Sequence, residues 1–505
     1  MGDVKMQVCL INPYSDVLTY AIRTSSVISL GLGYIASTLE QGGHEVEIIE
    51  CNLQKIGRTE LADILKNTTC KIFGLSVFNN NFMSVTRIIN DIRKYVPDAS
   101  IFLGGYMATF EYGQILNNLK VDACVLGEGE KTFLNIINAI DQGSDWKIVG
   151  GIAYKNENSI VINPSHETIN NLDELPFPKR VYYHDGPLGK SSSMITLRGC
   201  SYGKCIFCGT DEFYQTVPSK RYRLRSVGNV LIEIKNLIRD GVDFIYFQDD
   251  TFPISNKRWI NEFMEGIEKS GMKFRFQIFS RAVDVIHNQK VYARLSEIGM
   301  EMVFLGIESF CDRQLKYYNK MTTAIDNINA INELKKMGIK YVLGMILLDP
   351  YVTIDELLLN LETITKLNVA ENFHHEQYPL SGLSGLYGRP FTPFYQMLKD
   401  ENILDTSQPL NYKFQNEGID VYFEITQKWR EYIDEFMVYI ETILGKQDDL
   451  YNIVRKFHDI DIQFMLDLAS RIQRKEDLTN YLELKKEELY AFYHSFMEAC
   501  EIAGS

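Results

Sequence analysis

Short apolar runs alternate with stretches of helical period over the first third of the chain. Val8-Cys9-Leu10-Ile11 is an apolar run closed by Asn12-Pro13, and the next patterned stretch, Leu30 to Gln41, has helical spacing. Glu45-Val46-Glu47-Ile48-Ile49-Glu50 alternates with period two, after Gly42-Gly43 has closed the preceding helix. Further runs follow at Ile72–Val77, Ser100–Gly105 and Ala123–Gly127, with a helical stretch at Ser84–Tyr95. Strands alternating with helices predict an α/β domain over residues 1–145, built on a doubly wound parallel sheet. Such sheets bind ligands at the carboxyl ends of their strands. Those ends carry Asn12, Ser76, Val77, Gly104, Gly105, Tyr106, Gly127 and Glu128. Glycines there allow a flat or phosphate-bearing ligand to approach the backbone. No Gly-x-Gly-x-x-Gly follows the first strand, so the pattern describes a cofactor-sized crevice rather than a dinucleotide site.

Residues 146–190 read as a connector with one hairpin, Gly150–Tyr154 and Ser159–Pro164 flanking Lys155-Asn156-Glu157-Asn158. The pattern then returns to strand and helix over residues 191–400. Met194–Leu197, Phe244–Phe247, Phe274–Phe279, Met302–Glu308 and Tyr341–Leu347 read as strands; Asn229–Asp240, Lys290–Ile298 and Ala324–Lys336 read as helices. Polar residues after each strand predict a full or partial (β/α) barrel with its chemistry at the strand carboxyl ends. Residues 401–505 are expected to be helical, with Phe423, Ile425, Trp429, Tyr432, Ile433, Phe436, Met437, Ile440 and Leu444 near the helical period. That stripe is first a core face, although such an appendage can also cover a barrel mouth.

Composition narrows the setting. A chain of 505 residues, 45% hydrophobic and 23% charged, suits a globular protein of two or three domains. Of a net charge of −14, residues 401–505 contribute −10, so that region repels phosphate backbones and no nucleic-acid partner is expected. No apolar run approaches the roughly 20 residues that span a bilayer, and the start lacks a signal-peptide core, so a cytoplasmic protein with no membrane partner is expected. The nine cysteines agree with a reducing compartment. Cys9 and Cys124 lie in strand-like runs and read as core packing.

Three of those cysteines stand apart, in Leu197-Arg198-Gly199-Cys200-Ser201-Tyr202-Gly203-Lys204-Cys205-Ile206-Phe207-Cys208. Thiolates are soft donors that favour iron–sulfur clusters, zinc or cuprous ion. Structural zinc closes its shell with four protein ligands. Neither His nor Cys follows Cys208 until His287 and Cys311, so three local thiols suggest a cluster with one metal position open for chemistry. The alternative is a set of buried apolar cysteines.

The segment resembles the cluster loop of the radical S-adenosylmethionine (SAM) superfamily, with one extra residue between the first two cysteines. An added residue costs little loop-closure entropy, and Gly203 lies within the enlarged interval to absorb an unusual backbone angle. The resemblance implies a [4Fe-4S] cluster on Cys200, Cys205 and Cys208, with SAM on its open iron. It sets Phe207 against the adenine and Gln248, Asp249 and Asp250 near the methionine amine. Ser280 and Arg281 then serve the carboxylate, Glu308 the ribose, and Gly344 the adenine strand. The family's Gly-Gly-Glu-Pro is absent. On the residues alone, Asp249-Asp250 also reads as a strand-end turn, and Arg281 as a partner of Asp284. Adjacent His374-His375-Glu376 do not share a face and read as pocket lining or packing.

Residues 5–145, through Ser29–Ala36 and Gly127-Glu128-Gly129-Glu130, resemble the Rossmann-like cobalamin-binding domain that precedes many radical SAM domains. No Asp-x-His-x-x-Gly is present, and His44 reads as a surface residue of a helix-to-strand turn. The resemblance therefore implies base-off cobalamin without a protein histidine on cobalt; the alternative is a degenerate domain without its ligand. Together the two resemblances imply a cobalamin-dependent radical SAM enzyme, a C-methyltransferase. Its 5′-deoxyadenosyl radical would activate an unactivated carbon of a small molecule or peptide, methylcobalamin would supply the methyl group, and a flavodoxin or ferredoxin the electron. Cyclisation or rearrangement without methyl transfer, and a non-catalytic iron–sulfur redox sensor, are the other readings.

Overall fold

The computed structural model describes residues 6–14, 29–181, 190–369, 380–383, 385–444 and 448–503. His374-His375-Glu376 lies outside them. The chain forms two compact units: residues 1–203 with 208–278, and residues 204–207 with 279–505.

In the first unit, β1 (Gln7–Asn12), β2 (Glu45–Glu50), β3 (Ile72–Ser76), β4 (Ser100–Gly104) and β5 (Ala123–Val125) form a parallel sheet in the order β2-β1-β3-β4-β5. Strands covered on both faces read as near-continuous apolar runs, and every residue of β3 is buried. One face packs Ile11, Phe73, Leu75 and Ile101 against Val85, Ile88 and Ile92 of the helix Phe82–Tyr95. The other packs Leu10, Ile72 and Phe102 against Leu32, Ala36 and Leu39 of Leu30–Gln41 and Phe133 and Ile137 of Gly129–Asp141. Cys9 and Cys124 are core residues, at 2% and 0% exposure.

Two expectations change in this unit. The hairpin β6 (Ile152–Asn156) and β7 (Ser159–Asn163) does not stand apart as a connector. It pairs antiparallel onto β5 and extends the first sheet to seven strands. His44 is buried rather than exposed: its Nε2 lies 2.9 Å from Asn138 Oδ1, so the turn is anchored to the helix Gly129–Asp141.

The same unit begins a second sheet. There β8 (Ser191–Met194), β11 (Phe244–Phe247) and the first residues of β12 (Arg275–Arg281) run parallel. A two-residue ribbon, β9 (Leu197–Arg198) against β10 (Arg223–Leu224), leads into the cysteine loop. Buried Glu233, on the helix Val227–Arg239, ion-pairs with Arg180 and, at 2.5 Å, with Arg225, fastening the end of the connector.

In the second unit, β13 (Met300–Glu308) and β14 (Lys340–Met345) are parallel and in register from Met302↔Lys340 to Gly306↔Gly344. The acidic tail forms the helices Ile419–Leu444, Asp448–Gln473 and Tyr481–Ala503. Its buried line runs Tyr422, Thr426, Trp429, Ile433 and Phe436, while Phe423, Ile425 and Tyr432 are only half-buried. Side chains of Met437, Ile440 and Leu444 lie outside those described. Trp429 stacks on Phe464 at 4.0 Å and donates its indole N–H to buried Asp461 at 3.1 Å. Among the described residues no helix is long and apolar enough to cross a membrane.

Candidate active site

A cavity of about 290 Å³ lies wholly within the first unit. Its floor is the strand ends and following turns: Ser76, Gly104, Gly105, Tyr106, Gly127 and Glu128 all line it. Gly105 (φ 101°) and Gly127 (φ 68°) hold left-handed conformations that side chains disfavour. A Cβ on Gly31 or Gly104 would meet no atom within 4 Å and would project into open space. The glycines thus leave bare backbone beside a mostly apolar cradle, a surface suited to a flat cofactor. Two expected residues do not line it. Asn12 instead donates its amide to Glu50 at 2.6 Å, and Val77 is fully buried in the core.

The far wall comes from the second sheet. Gln248 and Asp250 follow β11, Leu197 and Arg198 form β9, and Phe213 and Tyr214 lie on the short helix Thr210–Gln215 behind the cysteine loop. Phe213 stacks on Tyr106 at 4.6 Å, so the aromatic wall is continuous with the floor. Neither Phe213 nor Tyr214 stood out in the sequence; their signal is an aromatic pair immediately after a ligand loop.

Cys200 and Cys208 are both half-buried in this unit. Cys200 Sγ lies 3.5 Å from Thr251 Oγ1, and the Cys208 thiol donates to Thr210 Oγ1 at 3.3 Å. Thr210 in turn donates to Asp250 at 2.8 Å. Gly199 (φ 88°) and Gly203 (φ 60°) flank Cys200's turn, and a Cβ on Gly199 would fall 1.9 Å from the Arg221 carbonyl oxygen. The loop therefore needs glycine at 199, and Gly203 does absorb the unusual angle. Among the described residues no three His, Cys, Asp or Glu side chains converge on a single metal ion. A multi-iron cluster takes its thiolates at separate corners, so a three-thiol donor set fits it by its chemistry.

Asp249 is not placed to meet a cofactor. Its carboxylate is fully buried and accepts from Thr196 N–H at 2.7 Å, Thr196 Oγ1 at 2.6 Å and Leu197 N–H at 3.1 Å. It ties the end of β11 to the start of β9. Burial pushes its carboxyl up to about 7, against the pull of those three donors. A folded-state value above the unfolded 3.8 means the native state holds the proton longer. Stability from this group is therefore present at acid pH and lost as pH rises to about 7. Asp249→Asn, which keeps the acceptor oxygen, is expected to flatten that slope in denaturant midpoints measured from pH 4 to 8. An unchanged slope would assign it to another group.

In the second unit, Glu308 ends β13 at φ 61° and is ion-paired with Lys320 at 2.6 Å, both nearly buried. Burial would lower the Lys320 ammonium, but Glu308 and the Cys205 thiol outweigh it and raise it. Lys320 also stands over the Phe207 ring at 6.0 Å. It was missed because no sequence motif marks it; in the structure Asn319 and Met321 on either side both hold positive φ. Ser280 Oγ is bonded to the hydroxyl of buried Tyr292. A Cβ on Gly344 would meet the Phe304 ring at 2.9 Å, so this glycine makes room for an aromatic ring. Phe207 packs edge-to-face on Tyr318 at 6.1 Å.

Known proteins agree with this arrangement. Residues 21–137 match the B12 binding domain family and residues 194–364 the radical SAM superfamily. The chain is 28% identical over 373 residues to an uncharacterised methyltransferase of Pyrococcus horikoshii, covering 72% of this chain and 79% of the relative. It is 28% identical over 333 residues to the anaerobic magnesium-protoporphyrin IX monomethyl ester cyclase of Rubrivivax gelatinosus, covering 62% of this chain but only 58% of the cyclase. In fold it is similar to the cobalamin-dependent SAM radical enzyme OxsB solved with aqua-cobalamin and SAM bound: TM-score 0.67 at 19% identity, over 97% of this chain and 84% of OxsB. The chain belongs to the radical SAM superfamily, in the branch that carries a B12 binding domain.

Proposed function

We propose that the chain is a cobalamin-dependent radical SAM C-methyltransferase acting on an unactivated carbon of a small molecule or peptide. The observation that carries this reading is the single cavity bounded on one side by the glycine-bearing strand ends of the B12 domain and on the other by Gln248, Asp250 and Arg198 of the radical SAM domain. It brings the cofactor floor of one domain to the strand ends of the other. Similarity to a methyltransferase supports the choice of reaction.

When bound, cobalamin supplies a transferable methyl group and the cluster supplies an electron to SAM. The protein's part is to bind, orient and exclude water. Gly31, Gly104 and Gly105 provide the bare floor; Tyr34, Tyr106, Phe213 and Tyr214 wall the cavity with aromatic surface. Cys200, Cys205 and Cys208 are the residues that would hold the cluster. Among the described residues no histidine lines the cavity, and His44 is committed to Asn138; a base-off cofactor without a protein histidine on cobalt is the proposed state. Phe207, Lys320, Glu308, Ser280, Arg281 and Gly344 are proposed to shape the SAM end. A flavodoxin or ferredoxin is the proposed reductant, in the cytoplasm.

The second reading, cyclisation or rearrangement, is favoured by the similarity to the cyclase. Methyl-labelled SAM separates the two. Label recovered in a new C-methyl product is the expected result; 5′-deoxyadenosine formed with no label leaving SAM or cobalamin for the product would favour the second.

A further inference from the structure

We infer that Arg198 is a positioning residue that couples the cobalamin cavity to the cluster loop, so that filling one site tightens the other. The inference rests on the two-cofactor reading above. Arg198 lies two residues before Cys200 and itself lines the cavity. Its guanidinium donates to Glu128 at 2.6 Å and to Glu130, and lies 5.3 Å from the centre of the Tyr34 ring. All three partners line the same cavity. Arg223, opposite Arg198 across the β9–β10 ribbon, grips both oxygens of Glu128 at 2.7 and 3.0 Å. Side-chain exposures of 8% for Arg198 and 5% for the two glutamates put this network out of water, where it has few alternative arrangements.

Two details make it more than a fastening. Glu130 Oε2 is buried and accepts from no described group, although the residue lines the cavity. A buried acceptor left open is costly unless a donor arrives, and the rim of a corrin carries carboxamide N–H donors. On the other side there is no slack between Arg198 and Cys200. Gly199 holds φ 88° and faces the Arg221 carbonyl with no room for a Cβ, so a shift of Arg198 is passed on to Cys200. A ligand that draws on Glu130 therefore acts on the cluster loop through one guanidinium. Thermodynamic linkage makes the effect reciprocal.

The test is anaerobic titration of the full-length chain with hydroxocobalamin, followed by absorbance, with the cluster reconstituted and with the iron chelated away. The expected dissociation constant is lower by about fivefold or more when the cluster is present, the lower end of ordinary coupling. Arg198→Lys replaces a fork by a point charge that cannot hold both glutamates, and Glu130→Gln removes one charge without changing shape. Each is expected to bind cobalamin but to bring the ratio of the two constants towards one. A simple fold staple would weaken both titrations equally and leave the ratio intact. A wild-type ratio of one, or a ratio preserved in both variants, overturns the coupling while leaving the two-cofactor reading standing. No cobalamin binding in either form of the wild-type chain overturns both.

Discussion

Cys200→Ala, Cys205→Ala and Cys208→Ala are each expected to lower 5′-deoxyadenosine formation from SAM to the no-enzyme background. The effect is total because the three thiols have no local substitute. The next cysteine, Cys311, is buried in the second unit, where its thiol donates to Glu356 at 3.4 Å. Two thiolates leave half of a cubane's corners without protein, and water does not replace a soft donor on iron. The loop around Cys200 is held by backbone features that the substitutions leave alone: positive φ at Gly199 and Gly203, and the β9–β10 ribbon. Loss should therefore appear in iron and sulfide content before it appears in stability. Cys311→Ser is the control and should keep cleavage. Full activity in any one of the three alanine variants would show that the ligand set is wrongly assigned.

Glu128→Ala is expected to destabilise the first unit by about 3–5 kcal/mol, the usual cost of removing one partner from a buried ion pair. Burial by itself would raise the Glu128 carboxyl, but Arg198 and Arg223 together outweigh it and hold the group below the ordinary carboxylate range. With Glu128 gone, Arg223 keeps the Ile169 carbonyl and Arg198 keeps Glu130, and neither retains its full set of acceptors. The contrast is the exposed Lys66–Asp63 pair at 2.7 Å, which water screens and whose removal should leave the midpoint close to wild type. Urea midpoints for the two variants provide the check. A Glu128→Ala midpoint equal to wild type would mean that the network is solvated in solution.

How much of this was legible beforehand depended on whether the signal was local. The parallel strands β1, β3 and β4 are written as apolar runs because both faces are covered, and the cysteine spacing carries its chemistry without any fold. The hairpin β6–β7 has the same alternation whether it stands free or docks on a sheet edge, so its partner β5 was not readable. His44 looked like a turn residue because nothing nearby announces Asn138, 94 positions away. The pair Asp249-Asp250 shows the limit most clearly. The two side chains are chemically identical, yet one is sealed beneath Thr196 and Leu197 while the other faces the cavity. Only the path of β9 over β11 separates them. Lys320 and Tyr214 were missed for the related reason that neither belongs to a motif; each becomes visible through what it touches.

One chain is expected to hold both a cluster and cobalamin. The most direct measurement is metal analysis and spectroscopy of the full-length protein, reconstituted anaerobically with iron, sulfide and hydroxocobalamin and freed of excess reagents. One cobalt retained per [4Fe-4S] cluster, with the cobalamin spectrum of a base-off form, is the expected result. Iron and sulfide retained without cobalt would contradict cobalamin binding, and neither retained would contradict both cofactors.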